Sequence, residues 1–282
     1  MYLEHFGLHE LPFGITPDTG FTFVSSAHQE ALATLLLGLE GGEGFLKVTG
    51  EVGTGKTLLA RTLLDALRGH AVTAYVPNPH LSARELLRVL ATELALALPR
   101  RAGTRELYEQ VEAALLAHAH AGRRVVLVID EAQALPPATL ESLRLLSNLE
   151  TGKCKLLQVV FFGQPEFDAV LCHPGCRSLA SRIAFAAELR PLPGTDFERY
   201  LAHRLRVAGW RGPPLFSAAA AWLLRRASGG VPRRANILAH KSLMLAYGEG
   251  AWQVGLRRAW LALRDDRRTL RPGAAPALGA TA

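Results

Sequence analysis

The sequence predicts an α/β protein with a parallel, doubly wound sheet, followed by a small all-α domain. Three observations predict it. An octapeptide, Gly50-Glu-Val-Gly-Thr-Gly-Lys-Thr57, follows a short apolar strand and opens a helix. Strands alternate with helices between residues 45 and 189, the signature of a parallel sheet. After Pro191 only helical patterns remain.

Taken in order, the first forty residues mix turn signals with aromatics at Phe6, Phe13, Phe21 and Phe23. A helix is expected over His28–Leu39, closed by Gly41-Gly42. Phe45–Thr49 reads as the first strand and Thr57–Leu67 as the helix after the Gly-rich loop. Ala71–Val76 is a second strand, and Ser82–Leu98 an amphipathic helix with a good N-cap. Thr104–His118 is a helix without the full capping box, and Arg124–Ile129 an apolar strand ending at Asp130-Glu131. A helix over Leu140–Leu149 precedes strands at Leu156–Phe162 and Ile183–Leu189. Four helices follow, at Asp196–Ala208, Ser217–Ser228, Arg234–Tyr247 and Val254–Leu263. The expected division is therefore residues 1–190, residues 191–265 and a disordered Pro/Gly/Ala-rich tail over 266–282.

At 282 residues, 49% apolar and 20% charged, the chain has the composition of a soluble globular protein. No apolar stretch approaches the roughly 18–20 residues of a membrane span. The N-terminus shows no cationic leader before an apolar core. The expected compartment is the cytoplasm, with peripheral placement at the inner membrane left open. Three cysteines are too few for a disulfide framework, and Cys172 with Cys176 reads as a loop thiol pair, not a zinc site. The formal charge of +7 permits contact with nucleic acid, but the arginines are scattered and weigh against it.

Chemistry concentrates in two places. Glycines at 50, 53 and 55 let successive backbone N–H groups face one concavity at a helix N-terminus, a phosphate cradle. Residues Gly50, Glu51, Val52, Gly53, Thr54, Gly55, Lys56, Thr57 and Leu58 would surround the phosphates, with Lys56 reaching the outer ones and Thr57 offering its hydroxyl to Mg²⁺. This is the P-loop pattern, and it implies ATP as the ligand. Val125–Ile129 then delivers Asp130 and Glu131 to the carboxyl edge of the sheet, where open α/β sheets bind ligands. Asp130 suits the metal, and Glu131 suits a general base that polarises water.

Asp130-Glu-Ala-Gln-Ala-Leu135, Gly163-Gln-Pro-Glu166 and Gly229-Gly-Val-Pro-Arg-Arg-Ala-Asn236 resemble the AAA+ ATPases of the general secretion pathway protein A family. The opening, with Pro12-Phe13 and Thr16-Pro17-Asp18, is similar to that family's start, and the likeness is strongest to its branch in MSHA-type pilus biogenesis. The resemblance implies an AAA+ module with a helical lid, working as a homo-oligomeric ring on a membrane-bound pilus or secretion assembly protein. It implies Gln164 as the polar sensor of the outer phosphate and Arg182 as an arginine finger acting in the neighbouring subunit, with Arg177 as competitor. Arg233 would be the lid's sensor arginine in preference to Arg234, and Asn236 would cap or brace that helix. Longer family members continue into a membrane span and a periplasmic domain, so a separate membrane partner is expected here. Phe13, Pro17 and Phe21 are open between an adenine pocket and plain burial. The Asp-Glu-Ala-Gln box also resembles transposon target-selection ATPases, which leaves a DNA-associated regulator as one alternative; a nucleotide switch of low turnover is the other.

Overall fold

The computed structural model describes residues 2–16, 19–98, 102–151 and 154–269. Contacts divide the chain into two compact units, Val24–Arg190 and Met1–Phe23 with Pro191–Ala282. In chain order, α1 (Tyr2–Phe6) precedes the first unit. That unit holds α2 (Ser26–Glu40), β1 (Phe45–Gly50), α3 (Lys56–Leu67), β2 (Ala71–Val76), α4 (Ala83–Glu93), α5 (Thr104–His120), β3 (Arg124–Ile129) and α6 (Pro137–Leu146). It continues with β4 (Glu150–Thr151), β5 (Cys154–Lys155), β6 (Gln158–Gly163), α7 (Glu166–Cys172), α8 (Arg177–Ala180) and β7 (Ile183–Leu189). The helices α9 (Gly194–Val207), α10 (Ala218–Ser228), α11 (Pro232–Gly248) and α12 (Leu256–Thr269) complete the other unit.

The sheet order is β2-β3-β6-β1-β7, and every pairing in it is parallel. The central strands are apolar at nearly every position because both of their faces are covered. Phe45, Val125, Leu127, Val159 and Phe161 face one core with α4, α5 and α6. The alternate residues Leu46, Val48, Val126, Val128, Val160 and Phe162 face a second core with α2 and α3. A short antiparallel pair, β4 with β5, lies outside the main sheet.

Several expected boundaries shift. The helix expected to run to Leu98 stops at Glu93. Ala95 turns into the left-handed region at φ 55, and its N–H and that of Leu96 bond back to Thr92 and Ala91. Glycine normally fills such a position, so an alanine hides the stop. At the other end of α4 the N-cap is stronger than expected: Ser82 and Glu85 form a reciprocal capping box. The short helices α7 and α8 lie between two expected strands, where the sequence pattern predicts no element.

Two differences concern domain limits. The expected first domain began at residue 1, but residues 1–23 pack with the helical unit. Tyr2, Phe6, Leu8, Phe13 and Phe21 enter its core beside Phe197, Leu224 and Leu238. Buried polar groups pin the segment: Arg204 donates to the carbonyls of Pro12 (2.6 Å) and Gly14 (3.2 Å), and Asn236 donates to Gly14 (2.9 Å). Asn236 also accepts from the Tyr200 hydroxyl at 2.6 Å, so its side chain braces this segment rather than capping its helix. Residues 266–269, expected in the tail, are helical instead: α12 runs to Thr269, and buried Asp266 accepts from Lys241 at 3.3 Å. The rest of that tail, and Pro17, lie outside the described residues. Among the described residues no helix is long and apolar enough to cross a membrane.

Candidate nucleotide site

The loop between β1 and α3 is shaped by glycines at which a β-carbon would meet close neighbours. At Gly50 a β-carbon would come within 2.7 Å of the Leu189 carbonyl and 2.9 Å of the Thr54 hydroxyl. Gly55 sits at φ 101, and a β-carbon there would lie 2.7 Å from His28 Nε2. Between them, the Thr54 side chain is buried and donates to the Glu51 carbonyl at 2.9 Å, closing the loop on itself. Helix α3 starts at Lys56, so its first N–H groups have no intrahelical partner and open towards the concavity.

Lys56 is 5% exposed and folds back over its own loop, donating to the Gly50 carbonyl at 2.7 Å and the Glu51 carbonyl at 3.0 Å. Burial pulls its pKa below the ordinary lysine value, while the carboxylates of Glu131, Asp130 and Glu51 oppose that. These carbonyls hold the ammonium in place.

A continuous chain of hydrogen bonds runs from α3 across the carboxyl ends of β3 and β6. The Thr57 hydroxyl donates to Asp130 at 2.6 Å, and Asp130 accepts from the Glu131 N–H at 2.9 Å. Glu131 takes the left-handed conformation at φ 52, and its carboxylate accepts from Gln133 at 2.5 Å and Gln164 at 3.0 Å. Gln133 in turn accepts from the Gln164 N–H at 3.0 Å. Burial raises the Asp130 pKa against the pull of Thr57 and the Glu131 N–H. At Glu131 burial also pushes upward, but the two glutamine amides and the charge of Lys56 hold it below the usual value. Tyr75, near the end of β2, is pushed up to about 12 by burial and by the charge of Asp130.

The structure thus brings together Gly50–Leu58, Lys56, Thr57, Asp130, Glu131 and Gln164. These residues fit Mg²⁺ with a nucleotide phosphate. Among the described residues no cluster of three His, Cys, Asp or Glu side chains forms a self-sufficient metal cage. One hydroxyl and one carboxylate 2.6 Å apart instead suit a cation that keeps waters and phosphate oxygens in its shell.

Arg182 is not part of this cluster. Arg182 directly precedes β7, whose first residue pairs with Phe45, so it lies at the amino edge of the sheet. That is about 20 Å along the strands from the loop, by the rise of an extended chain. It is exposed and donates to the Asn148 side chain. Arg177 is also exposed. Arg233 is exposed on the first turn of α11, in the other unit. Phe13 and Phe21 are buried in the core of the helical unit, and the Arg204 guanidinium covers the Phe21 ring at 4.5 Å.

Three residues of the site carry no role in the sequence reading. Gln133 was visible as part of the Asp130–Leu135 box, but nothing marked it as the bridge between Glu131 and Gln164. Tyr75 sits in an ordinary apolar strand pattern. His28 belongs to α2, with its Nδ1 bonded to Ser25 at 2.7 Å, and only folding brings its ring against Gly55.

Comparison with known proteins agrees with this geometry. Residues 39–171 match the family model described as AAA domain. General secretion pathway protein A of Aeromonas hydrophila is 44% identical over 254 residues, covering 90% of this chain. The chain spans 46%, about half, of that relative's length. Among solved structures, Cdc6p from Pyrobaculum aerophilum superposes with a TM-score of 0.68 at 17% identity, over 92% of this chain and 73% of that one. Drosophila ORC gives 0.69 at 16% identity, over 93% and 67% of the two chains. A RuvB variant from Thermotoga maritima gives 0.58 at 17% identity, over 88% and 73%. At such identities these three attest the fold alone. The parallel sheet, the Gly-rich loop and the extended match together make this chain an AAA+ P-loop protein of the general secretion pathway protein A family.

Proposed function

We propose that this protein binds ATP with Mg²⁺ and hydrolyses it as one subunit of a ring. The observation that carries this reading is the unbroken Thr57–Asp130–Glu131–Gln164 chain beside the Gly-rich loop. Thr57 and Asp130 would hold Mg²⁺, which when bound supplies charge neutralisation at the phosphate oxygens. The loop amides and Lys56 bind the phosphates once Lys56 leaves the Gly50 and Glu51 carbonyls. Glu131, held ionised by its glutamine partners, accepts a proton from the attacking water. Gln164 orients Glu131 and senses the outer phosphate. Arg182, at the far edge from its own loop, acts on the site of a neighbouring copy, where it stabilises charge developing on the transferred group. Arg233 contributes from the helical unit as the second sensor.

ATP turnover of the parent, Lys56→Ala and Glu131→Gln chains tests this directly. Loss in both variants is expected, and equal turnover in all three would end the hydrolytic reading. The proposed biological setting is assembly of a type II secretion or MSHA-type pilus apparatus at the inner membrane; the similarity to general secretion pathway protein A supports the secretion part of it. ATP-dependent retention of a membrane assembly protein on immobilised chain is the expected result. Retention only of DNA would contradict it.

A further inference from the structure

The helical unit carries a preformed groove that the nucleotide chemistry does not use. It has a volume of about 690 Å³ and lies between α9, α10 and the loop joining them. Leu201, Leu205, Leu215 and Phe216 form an apolar floor, each less than a tenth exposed. One wall is locked in place. The Trp210 indole N–H donates to the Pro213 carbonyl at 2.8 Å, and its ring lies against Gly212, where a β-carbon would come within 2.5 Å of it. That wall is in place before a ligand arrives, which lowers the ordering cost of binding.

Its rim is cationic. Arg199 and Arg206 stand seven residues apart on α9, two turns or about 10.5 Å along the axis, and Arg211 projects from the loop. Arg199 is paired only distantly, at 3.8 Å from Asp196, and Arg206 and Arg211 form no ion pair among the described residues. Glu198 is the single carboxylate on the rim. An apolar floor flanked by spaced guanidiniums matches a polypeptide that presents apolar side chains with carboxylates about two helical turns apart. We propose that this groove is a docking site for an acidic, apolar segment of a partner protein. The rim arginines set the register and the floor takes the apolar side chains. The site is independent of nucleotide turnover.

The test is an array of peptides about twelve residues long, varying Leu, Phe, Glu, Asp, Gln and Lys at each position, probed with the full chain. Peptides combining acidic and apolar residues should be enriched, and the best should bind in a fluorescence-anisotropy titration. Its affinity should fall at least tenfold in the Arg206→Glu/Arg211→Glu double variant. Ala202→Glu, which fills the exposed wall between the two α9 arginines, should cost as much. Parent-like melting temperatures confirm that these surface variants fold. The Lys56→Ala chain should bind the peptide as the parent does, so the groove is judged apart from ATP hydrolysis. No acidic enrichment, equal binding of the Gln-for-Glu peptide, unchanged affinity in both groove variants, or a preference for phosphatidylglycerol vesicles over every peptide would each overturn the proposal.

Discussion

Gln164 donates its side-chain amide to the Glu131 carboxylate at 3.0 Å, across the gap between the ends of β3 and β6. Gln133 closes the same triangle from the other side, so the proposed base is held by two amides. Gln164→Ala is expected to lower kcat about a hundredfold while leaving ATP affinity within about threefold, since the phosphate cradle is untouched. Steady-state turnover with a separate nucleotide titration checks this. A loss confined to affinity would mean that Gln164 acts on binding, not on the base.

Arg182 lies at the opposite edge of the sheet from its own loop. Arg182→Ala should therefore reduce turnover by about a thousandfold without weakening ATP binding. Mixing Arg182→Ala with Lys56→Ala chains should restore activity that neither has alone, because each lacks what the other's neighbour supplies. Turnover per subunit should also rise with concentration. If the mixture stays inactive while Arg177→Ala mixtures recover, Arg177 is the finger.

Asp130 is buried, and its pKa is raised above the unfolded value. Its ionised form therefore costs stability once the pH exceeds the folded pKa, and costs nothing below the unfolded one. Asp130→Asn should abolish Mg²⁺-dependent hydrolysis yet raise Tm at neutral pH in the absence of nucleotide, by about 2–4 °C per kcal/mol relieved. That gain should shrink as the pH falls through the carboxylate range. Melting curves across an acidic-to-neutral series measure both the sign and the window.

Gly55 combines two constraints, a φ of 101 and the His28 ring. Gly55→Ala should cost about 1–2 kcal/mol from the backbone alone and more from the contact. Adding His28→Ala should return only the contact part. Urea midpoints of the parent, both single variants and the double variant separate the two.

Much of the fold was legible because its signals are local. The two-sided burial of β3 and β6 writes itself as unbroken apolar runs, and the glycines at 50, 53 and 55 mark the loop by their spacing before Lys56. Thr57, Asp130 and Glu131 were legible for a related reason, and Gln164 only through the family resemblance. Each of the first three sits directly after a strand or at a helix start, and a parallel sheet sends all such ends to one edge. The stop at Glu93 was not legible, because a left-handed alanine carries no mark.

By itself, the sequence determined the order of the five main strands and the longer helices, the Gly-rich loop and the carboxylates at the same sheet edge. Tertiary structure decided that residues 1–23 belong with the helical unit, because Arg204 and Asn236 find their acceptors on carbonyls some two hundred residues away. It also decided that Gln133 bridges Glu131 and Gln164, that His28 backs Gly55, and that Arg182 stands far from its own loop. The physical reason is common to all four. Hydrogen bonds and close packing depend on distance in space, and chain spacing encodes that distance only within a single element.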